Sequence, residues 1–414
     1  MHHFNEVFIQ ILILLAISVT VIGIAKKFKA PYTIALVLVG LFLGIINTPF
    51  HIVDEAEAFI TQSEVFQAII ISLFLPILLG DATLKLPFHH LYEQKKAVFG
   101  MALGGTLLSF VVIGFATHYI IGLPIAVAFT FAALMSATDP ISVLSIFKSA
   151  GVSQKLSTVM EGESLFNDGI AVVLFKISSI YLLTYIELGW EGLGSGIFMF
   201  LKFSIGGALI GIVLGFILAQ VTRFFDDYPF EIIISALLFF GSYFIAEHLG
   251  VSGVIAVVTG GFMFGDYGAK IGSMSAETKV NINTFWDVIT LLANSIIFLL
   301  VGLEIRNIAF EGKWMLILFA IVIVLAGRVV ALYTSTLHVK NINQKERALL
   351  NWGGLKGSLS IALALSLPVD FEGRDDVLLL TFGVVLFSLI IQGLTIKPLI
   401  KKLGLSGLTS SKQD

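Results

Sequence analysis

Long apolar runs, broken by short clusters of charged residues, glycine and proline, divide this chain into about thirteen segments. They lie near 7–25, 31–47, 64–80, 97–121, 123–147, 156–186, 193–222, 231–247, 251–265, 281–303, 314–335, 349–368 and 377–400. An α-helix needs about 20 apolar residues to cross a hydrocarbon core about 30 Å thick, and most of the segments reach that length. In lipid each must satisfy its own backbone hydrogen bonds, so the pattern predicts helices throughout. The ninth segment is short for a full crossing. The expected fold is an all-α integral membrane protein of about thirteen transmembrane helices.

Composition agrees. Charged residues make up 13% of the 414 and hydrophobic ones 57%, and the mean hydropathy is +0.98. A soluble chain carries about 25% charged residues, so a soluble globular protein is excluded. Net charge is −3 and no long basic run occurs, so nucleic acid is not an expected partner. With no cysteine, thiol ligands, thiol nucleophiles and disulfides are all excluded. Glu6 precedes the first apolar run and Lys26, Lys27 and Lys29 follow it. That order is the reverse of a secretory signal, so the run is read as a retained span.

Orientation follows from the lysines and arginines. With the N-terminus outside, the inward loops carry Lys26, Lys27, Lys29, Lys85, Lys95, Lys96, Lys148, Lys155, Arg223, Lys270, Lys279, Lys340, Lys345 and Arg347. Lys397, Lys401, Lys402 and Lys412 follow in the C-terminal tail. Outward loops hold only Arg306, Lys313 and Arg374 among many acids, including Asp54, Glu55, Glu57 and Asp370. This places the N-terminus outside and the C-terminus in the cytoplasm, and termini on opposite faces require the odd number of spans counted.

Two spans read as interrupted. The fifth has Thr138-Asp139-Pro140 in mid-membrane, where proline lacks an N–H and crowds the carbonyl of Ser136. The twelfth has Gly353, Gly354 and Gly357 around Lys356, each glycine costing about 1 kcal/mol relative to alanine in a helix interior. If the seventh span joins two six-helix repeats, both interrupted spans are fifth in their repeat, and the second repeat is inverted. That gives 1–191 as the first repeat, 192–230 as the linking helix and 231–414 as the second repeat with a short cytoplasmic tail. Interrupted helices at matching places in inverted halves point to a transporter's binding site. Opposed half-helices there would meet end to end, with Asp139 the expected compensation for the positive ends and Lys356 for the carbonyl ends.

The sixth span carries Glu161-Gly-Glu-Ser-Leu-Phe-Asn-Asp168. Asp168 lies about 18 Å along that helix at 1.5 Å per residue, close to mid-membrane. An ionised carboxylate there costs at least about 2.5 kcal/mol, so it is rare unless paired or functional. Ser164 and Asp168 are i,i+4, with Glu161 a turn back on the same face, while Glu163 and Asn167 form the adjacent strip. All are oxygen donors of the kind hard cations prefer, and no histidine is present to favour a transition metal. A buried carboxyl of this kind holds a proton or a metal cation, one at a time, which suffices for exchange. Glu163 has two readings, cation ligand or partner of the permanently charged Arg328 in the eleventh span. Lys176, eight residues past Asp168, either faces the same cavity or, as expected here, extends toward the outer interface, and Lys202 reads the same way. The glycine runs Gly207, Gly211, Gly215 and Gly40, Gly44 read as close packing surfaces. Asp287 reads as surface-solvated or as drawing cations inward, and His89 and His90 lie in an inward loop.

Thr138-Asp139-Pro140 followed by Gly162-Glu163-Ser164-Leu165-Phe166-Asn167-Asp168-Gly169 resembles the monovalent cation/proton antiporter family. It is most similar to the NhaP branch, to which the animal sodium/proton exchangers are related. Gly353-Gly354-Leu355-Lys356-Gly357 resembles the family's basic site in the second broken helix, and Arg328 falls where a buried arginine is expected. The resemblance implies two inverted six-helix repeats, a homodimer, and a core domain moving against a dimerisation domain. It implies a cation held by Asp168, Ser164 and Glu163 with the backbone at Thr138, and Asn167 tied to the crossing. Asp139, Pro140, Asn167, Arg328 and Lys356 would structure that site. The Asn167-Asp168 pair resembles the electroneutral branch, which exchanges one cation for one proton. Lys356 stands where many relatives carry arginine, and the short tail points to a prokaryotic source.

The expected function is a secondary antiporter of the cell membrane, exchanging Na⁺ or Li⁺ for H⁺ by alternating access, with no cofactor. A K⁺/H⁺ exchanger of the same architecture and a cation channel are the rivals. No metalloprotease or serine-nucleophile pattern lies within the spans, so an enzyme is not expected.

Overall fold

The computed structural model describes residues 2–28, 31–47, 67–224, 227–267, 275–304 and 312–407. Among these residues there is no strand, and helix lies over each of the thirteen predicted segments. The helices are α1 (His2–Lys27), α2 (Tyr32–Asn47), α3 (67–85), the short α4 (Phe88–Glu93) and α5 (Lys95–Ile121). The fifth segment is split into α6 (Ile125–Leu134) and α7 (Pro140–Ala150). Then come α8 (Gln154–Glu187), α9 (Trp190–Phe224), α10 (Tyr228–His248), α11 (Gly253–Asp266), α12 (Ala276–Glu304) and α13 (Trp314–Ser335). The twelfth segment is split into α14 (Gln344–Trp352) and α15 (Ser358–Leu365), and α16 (Arg374–Leu403) ends the bundle. Eight of the described helices are long and apolar enough to cross a bilayer, whereas α11 is short, as its segment predicted.

The helices group into two bundles. In the first, α2 packs along α12, α11 sits among α3, α9 and α10, and α1 lies against α2 and α12. In the second, α5 packs on α6 and α13, α15 and α6 pack on α16, and α8 touches α5, α6 and α7. Side chains of α8 are buried on nearly every side, from Leu156 to Phe175. A helix buried all round needs no solvated stripe, which explains why α8 could take its polar residues in mid-span.

Glycine brings the first bundle's helices to backbone contact, as the small-residue runs predicted. A Cβ on Gly302 would meet Leu41 N at 2.7 Å and Gly40 Cα at 2.8 Å. On α9, Gly207, Gly211 and Gly215 lie against the backbone of α11 at Ser252, Ala256 and Gly260, while Phe198, Ile205 and Leu209 on other faces are exposed. Gly40 and the run Gly207, Gly211 and Gly215 therefore serve contacts within the chain. Part of the charge pattern that sets orientation (Lys29, Asp54, Glu55, Glu57, Lys270, Arg306 and Lys412) lies outside the described residues.

Backbone atoms cannot swing aside, so Gly302→Leu should cost at least the roughly 1–3 kcal/mol typical of overpacking. The detergent-solubilised variant is expected to melt several degrees below Gly104→Leu, whose Cβ meets nothing within 4 Å. Equal melting temperatures would refute a tight α2–α12 seam.

Candidate functional site

The two interrupted segments cross, and their freed backbone groups find partners in one another and in the second bundle. The Asp139 N–H donates to Leu355 O across the crossing at 2.8 Å. Lys356, 4% exposed, donates from Nζ to Ala137 O at 3.0 Å, and Ser360 Oγ donates to Leu134 O at 2.7 Å. Those two carbonyls are at the broken end of α6, where unsatisfied carbonyls are expected. The Lys356 N–H is taken up by Ser388 Oγ at 2.8 Å. The Asp139 carboxylate accepts from Ile141 N at 3.0 Å, capping α7, with Pro140 in the first turn where its missing N–H costs nothing. Gly357 lies against the same carboxylate, since a Cβ there would meet Asp139 Cγ at 2.9 Å. A side chain at 357 would displace the group that faces the start of α15.

Thr138 joins the crossing to α8. Its Oγ1 lies 2.8 Å from Ser164 Oγ and accepts from Asn167 Nδ2 at 2.8 Å. Glu163, completely buried, is held by both terminal nitrogens of Arg328 on α13, with Nη2 at 2.9 Å from Oε2. Arg328 also reaches Leu350 O of α14 at 3.4 Å. The bidentate pair commits both oxygens of Glu163. Of the two readings of Glu163, the pairing with Arg328 is therefore present, and Glu163 is not among the residues that line the cavity beside Asp168.

Asp168 is different. It is 9% exposed, and its Oδ1 has no hydrogen-bond partner. The carboxyl group lines a cavity of about 470 Å³ together with Thr138, Asp139, Leu165, Glu161 and Gly357. The opposite wall comes from α2, α3 and α12, through Tyr32, Asp81, Thr290 and Asn294. The cavity reaches the surface, because exposed Lys26 and Asp287 also line it. It lies between the two bundles, with the carboxyl of Asp168 at its inner end.

Several residues lay beyond sequence reasoning. Asp81 is buried in α3 and bound by Lys85 Nζ at 2.6 Å, and the same ammonium reaches Asp287 Oδ1 at 2.6 Å. An acid within an apolar run, four residues before a lysine, was the available signal for Asp81. Asp287 is thus paired at the cavity's rim. Lys176, expected to stretch toward the outer interface, pairs with Glu247 of α10 at 2.5 Å; no local pattern announces a partner 71 residues away. Lys202 is exposed, and His89 and His90 lie beside Glu93 on α4.

Comparison with known proteins places these features. The sodium/hydrogen exchanger transmembrane family model matches residues 13–402. The Na⁺/H⁺ antiporter NhaH of Halobacillus aidingensis is 71% identical over 98% of this chain and 100% of its own length. The Na⁺/H⁺ antiporter ApNhaP of Aphanothece halophytica is 39% identical over 96% of this chain and 75% of its own. The solved structure of the sodium proton antiporter MjNhaP1 from Methanocaldococcus jannaschii superposes with a TM-score of 0.78. At 21% identity it covers 97% of this chain and 99% of its own, a likeness of fold.

Removing Arg328 would leave Glu163 as a buried, unpaired charge, which costs about 3–5 kcal/mol. Arg328→Met should lower the melting temperature sharply, and adding Glu163→Gln should recover much of the loss. No recovery in the double variant would mean the pair is not what holds α13 to α8.

Proposed function

The chain belongs to the sodium/hydrogen exchanger family, and from that premise we propose a mechanism in which Asp168 carries Na⁺ and H⁺ alternately across the membrane. The protein is a membrane-embedded Na⁺/H⁺ antiporter. One observation supports the assignment of carrier above others: Asp168 has an unpartnered oxygen at the inner end of a cavity that reaches the surface, beside the Thr138 break. Ser164 and the backbone at Thr138 complete the oxygen shell. Glu163 acts through Arg328 as a positioning residue, and Asn167, Asp139, Pro140 and Lys356 hold the crossing in shape.

Occupancy is exclusive on electrostatic grounds. A carboxylate surrounded by low-dielectric protein needs a positive partner, and either a proton or Na⁺ supplies it. If the bundles rearrange only when Asp168 is occupied, each passage of Na⁺ one way requires a proton the other. Asn167 is neutral and Glu163 is neutralised by Arg328, so Asp168 offers one exchangeable charge, which favours electroneutral one-for-one exchange. Alternating access follows from the cavity's position between the bundles: closing it and opening its counterpart moves α8 and the crossing against α2, α3 and α12. The inverted six-helix repeats are supported by reciprocal pairing, α2 with α12 and α3 with α11. The lysine distribution favours the N-terminus outside and the C-terminus in the cytoplasm, with this cavity open inward. A homodimer in the cell membrane of a prokaryote, with no cofactor, completes the reading. Li⁺ is accepted as a smaller hard cation that prefers the same oxygen ligands.

In everted vesicles, Na⁺ and Li⁺ should dissipate a preformed pH gradient, and Asp168→Asn should reduce that response to the level of vesicles lacking the protein. Robust Na⁺-driven proton movement in that variant would end the carrier assignment. In proteoliposomes the exchange rate should not change when the voltage is clamped to zero or to an imposed potential. The natural absence of cysteine allows a third check. Thr290→Cys should react with a water-soluble maleimide offered at the cytoplasmic face, while lipid-facing Leu318→Cys, 53% exposed, should not.

A further inference from the structure

Antiport needs one face closed while the other is open, and the closed face has a polar fastening that transport as derived above does not use. Lys176 lies 15 positions beyond Glu161 on α8, about 22 Å at 1.5 Å per residue. Glu161 lines the open cavity, so Lys176 is far toward the opposite face. There it pairs at 2.5 Å with Glu247, at the end of α10, one residue before His248 closes the helix. Beneath the pair, Val173, Ile177 and Phe203 form a small buried apolar cluster with Ile255 packed on it. These residues come from α8 on one side and from α9 and α11 on the other, so the seam between the bundles is apolar and packed at this level.

The pair's connectivity sets it apart. Among the described residues, Lys155–Glu346, Arg328–Glu163 and Lys313–Asp376 lie within the second bundle, and Lys85 with Asp81 and Asp287 lies within the first. Lys176–Glu247 joins the two bundles. Thr33 Oγ1 and Ser142 Oγ, 2.6 Å apart, also tie the bundles together, but that contact is uncharged and lies toward the cavity.

We propose that Lys176–Glu247 is the latch of the far gate, formed when the cavity face is open and broken each time the transporter turns over. Its chemistry suits a contact that must reverse. The side chains are 32% and 29% exposed, so water is at hand to solvate both charges on separation. Glu247 Oε1 meanwhile accepts from Gly253 N at 3.0 Å and keeps that bond when the lysine leaves. A pair about a third exposed is worth little in absolute terms, which is the right scale for biasing two states of similar energy. Lys176 and Glu247 thus set how the molecule divides its time between its two faces, and neither touches the transported ion.

The inference rests on the alternating-access reading but is tested without measuring ion flux. Val173→Cys, placed in the apolar cluster, reports water access from the far face by its rate of reaction with a membrane-impermeant maleimide. Adding Glu247→Gln, whose amide oxygen still accepts from Gly253, or Lys176→Met should raise that rate about two- to fivefold, the shift an ion pair of this exposure supports. Thr290→Cys on the cavity side should slow in the same backgrounds. The double variant should react no faster than either single one, since each removes the same contact. Unchanged rates in both single variants, or additive increases, would overturn the latch. If Na⁺ and pH fail to alter labelling at either cysteine in the otherwise native protein, alternating access itself is at fault.

Discussion

Everything in this structure turns on the shortage of hydrogen-bond partners in lipid. A helix interrupted in mid-membrane exposes carbonyls and amides that cost several kcal/mol each if left alone. Here two interruptions satisfy each other: Asp139 N–H meets Leu355 O, and Lys356 Nζ and Ser360 Oγ reach the carbonyls of α6. The charge of Asp139 sits where amide ends gather, and that of Lys356 where carbonyl ends gather. The breaks are mutually stabilising, and neither is tolerable without the other. Because Thr138 is fixed by this arrangement, Ser164 and Asn167 of α8 are fixed with it, and Asp168 one turn on inherits its place.

The crossing's hydrogen bonds are made largely within the second bundle. Its contacts run to α8, α13 and α16, through Thr138, Arg328 and Ser388. The cavity lies along the seam where the bundles face each other. A machine divided in this way can displace one body against the other without undoing the costly bonds at the break. The Arg328–Glu163 pair lies wholly within the second bundle, with Glu163 completely buried, so such a displacement need not break it.

What was legible in the sequence was whatever has a local signature. Pro140 and the glycines around Lys356 announce their breaks through backbone chemistry, and helical spacing alone places Ser164 beside Asp168. The apolar runs are equally local, so helices lie over every predicted segment. Pairings between distant segments left less trace. Arg328 could be matched to Glu163 because both are charges stranded deep in spans, and few alternatives existed. Lys176 lay close enough to an interface for solvation to be a credible fate, and Glu247 sits at a helix end where acids are ordinary. Asp81 went unread although its setting, an acid inside an apolar run with a lysine a turn away, gave it away. The wall formed by Tyr32, Thr290 and Asn294 depends on which helices face each other, and periodicity does not encode that.

Two of the ion pairs anchored on α8, Arg328–Glu163 and Lys176–Glu247, differ in their access to water, and the difference extends to the surrounding medium. Dissolved ions screen a charge only where solvent reaches it, and the screening length falls from about 10 Å at 0.1 M to about 3 Å at 1 M salt. Glu163 and Arg328 are out of reach, so the scaffold around Asp168 is indifferent to salinity. Lys176 and Glu247 are within reach. With the latch and the orientation proposed above, a brine outside the cell would loosen the far-side fastening and leave the Asp168 site untouched, so the balance between the two faces would respond to the solute being exchanged.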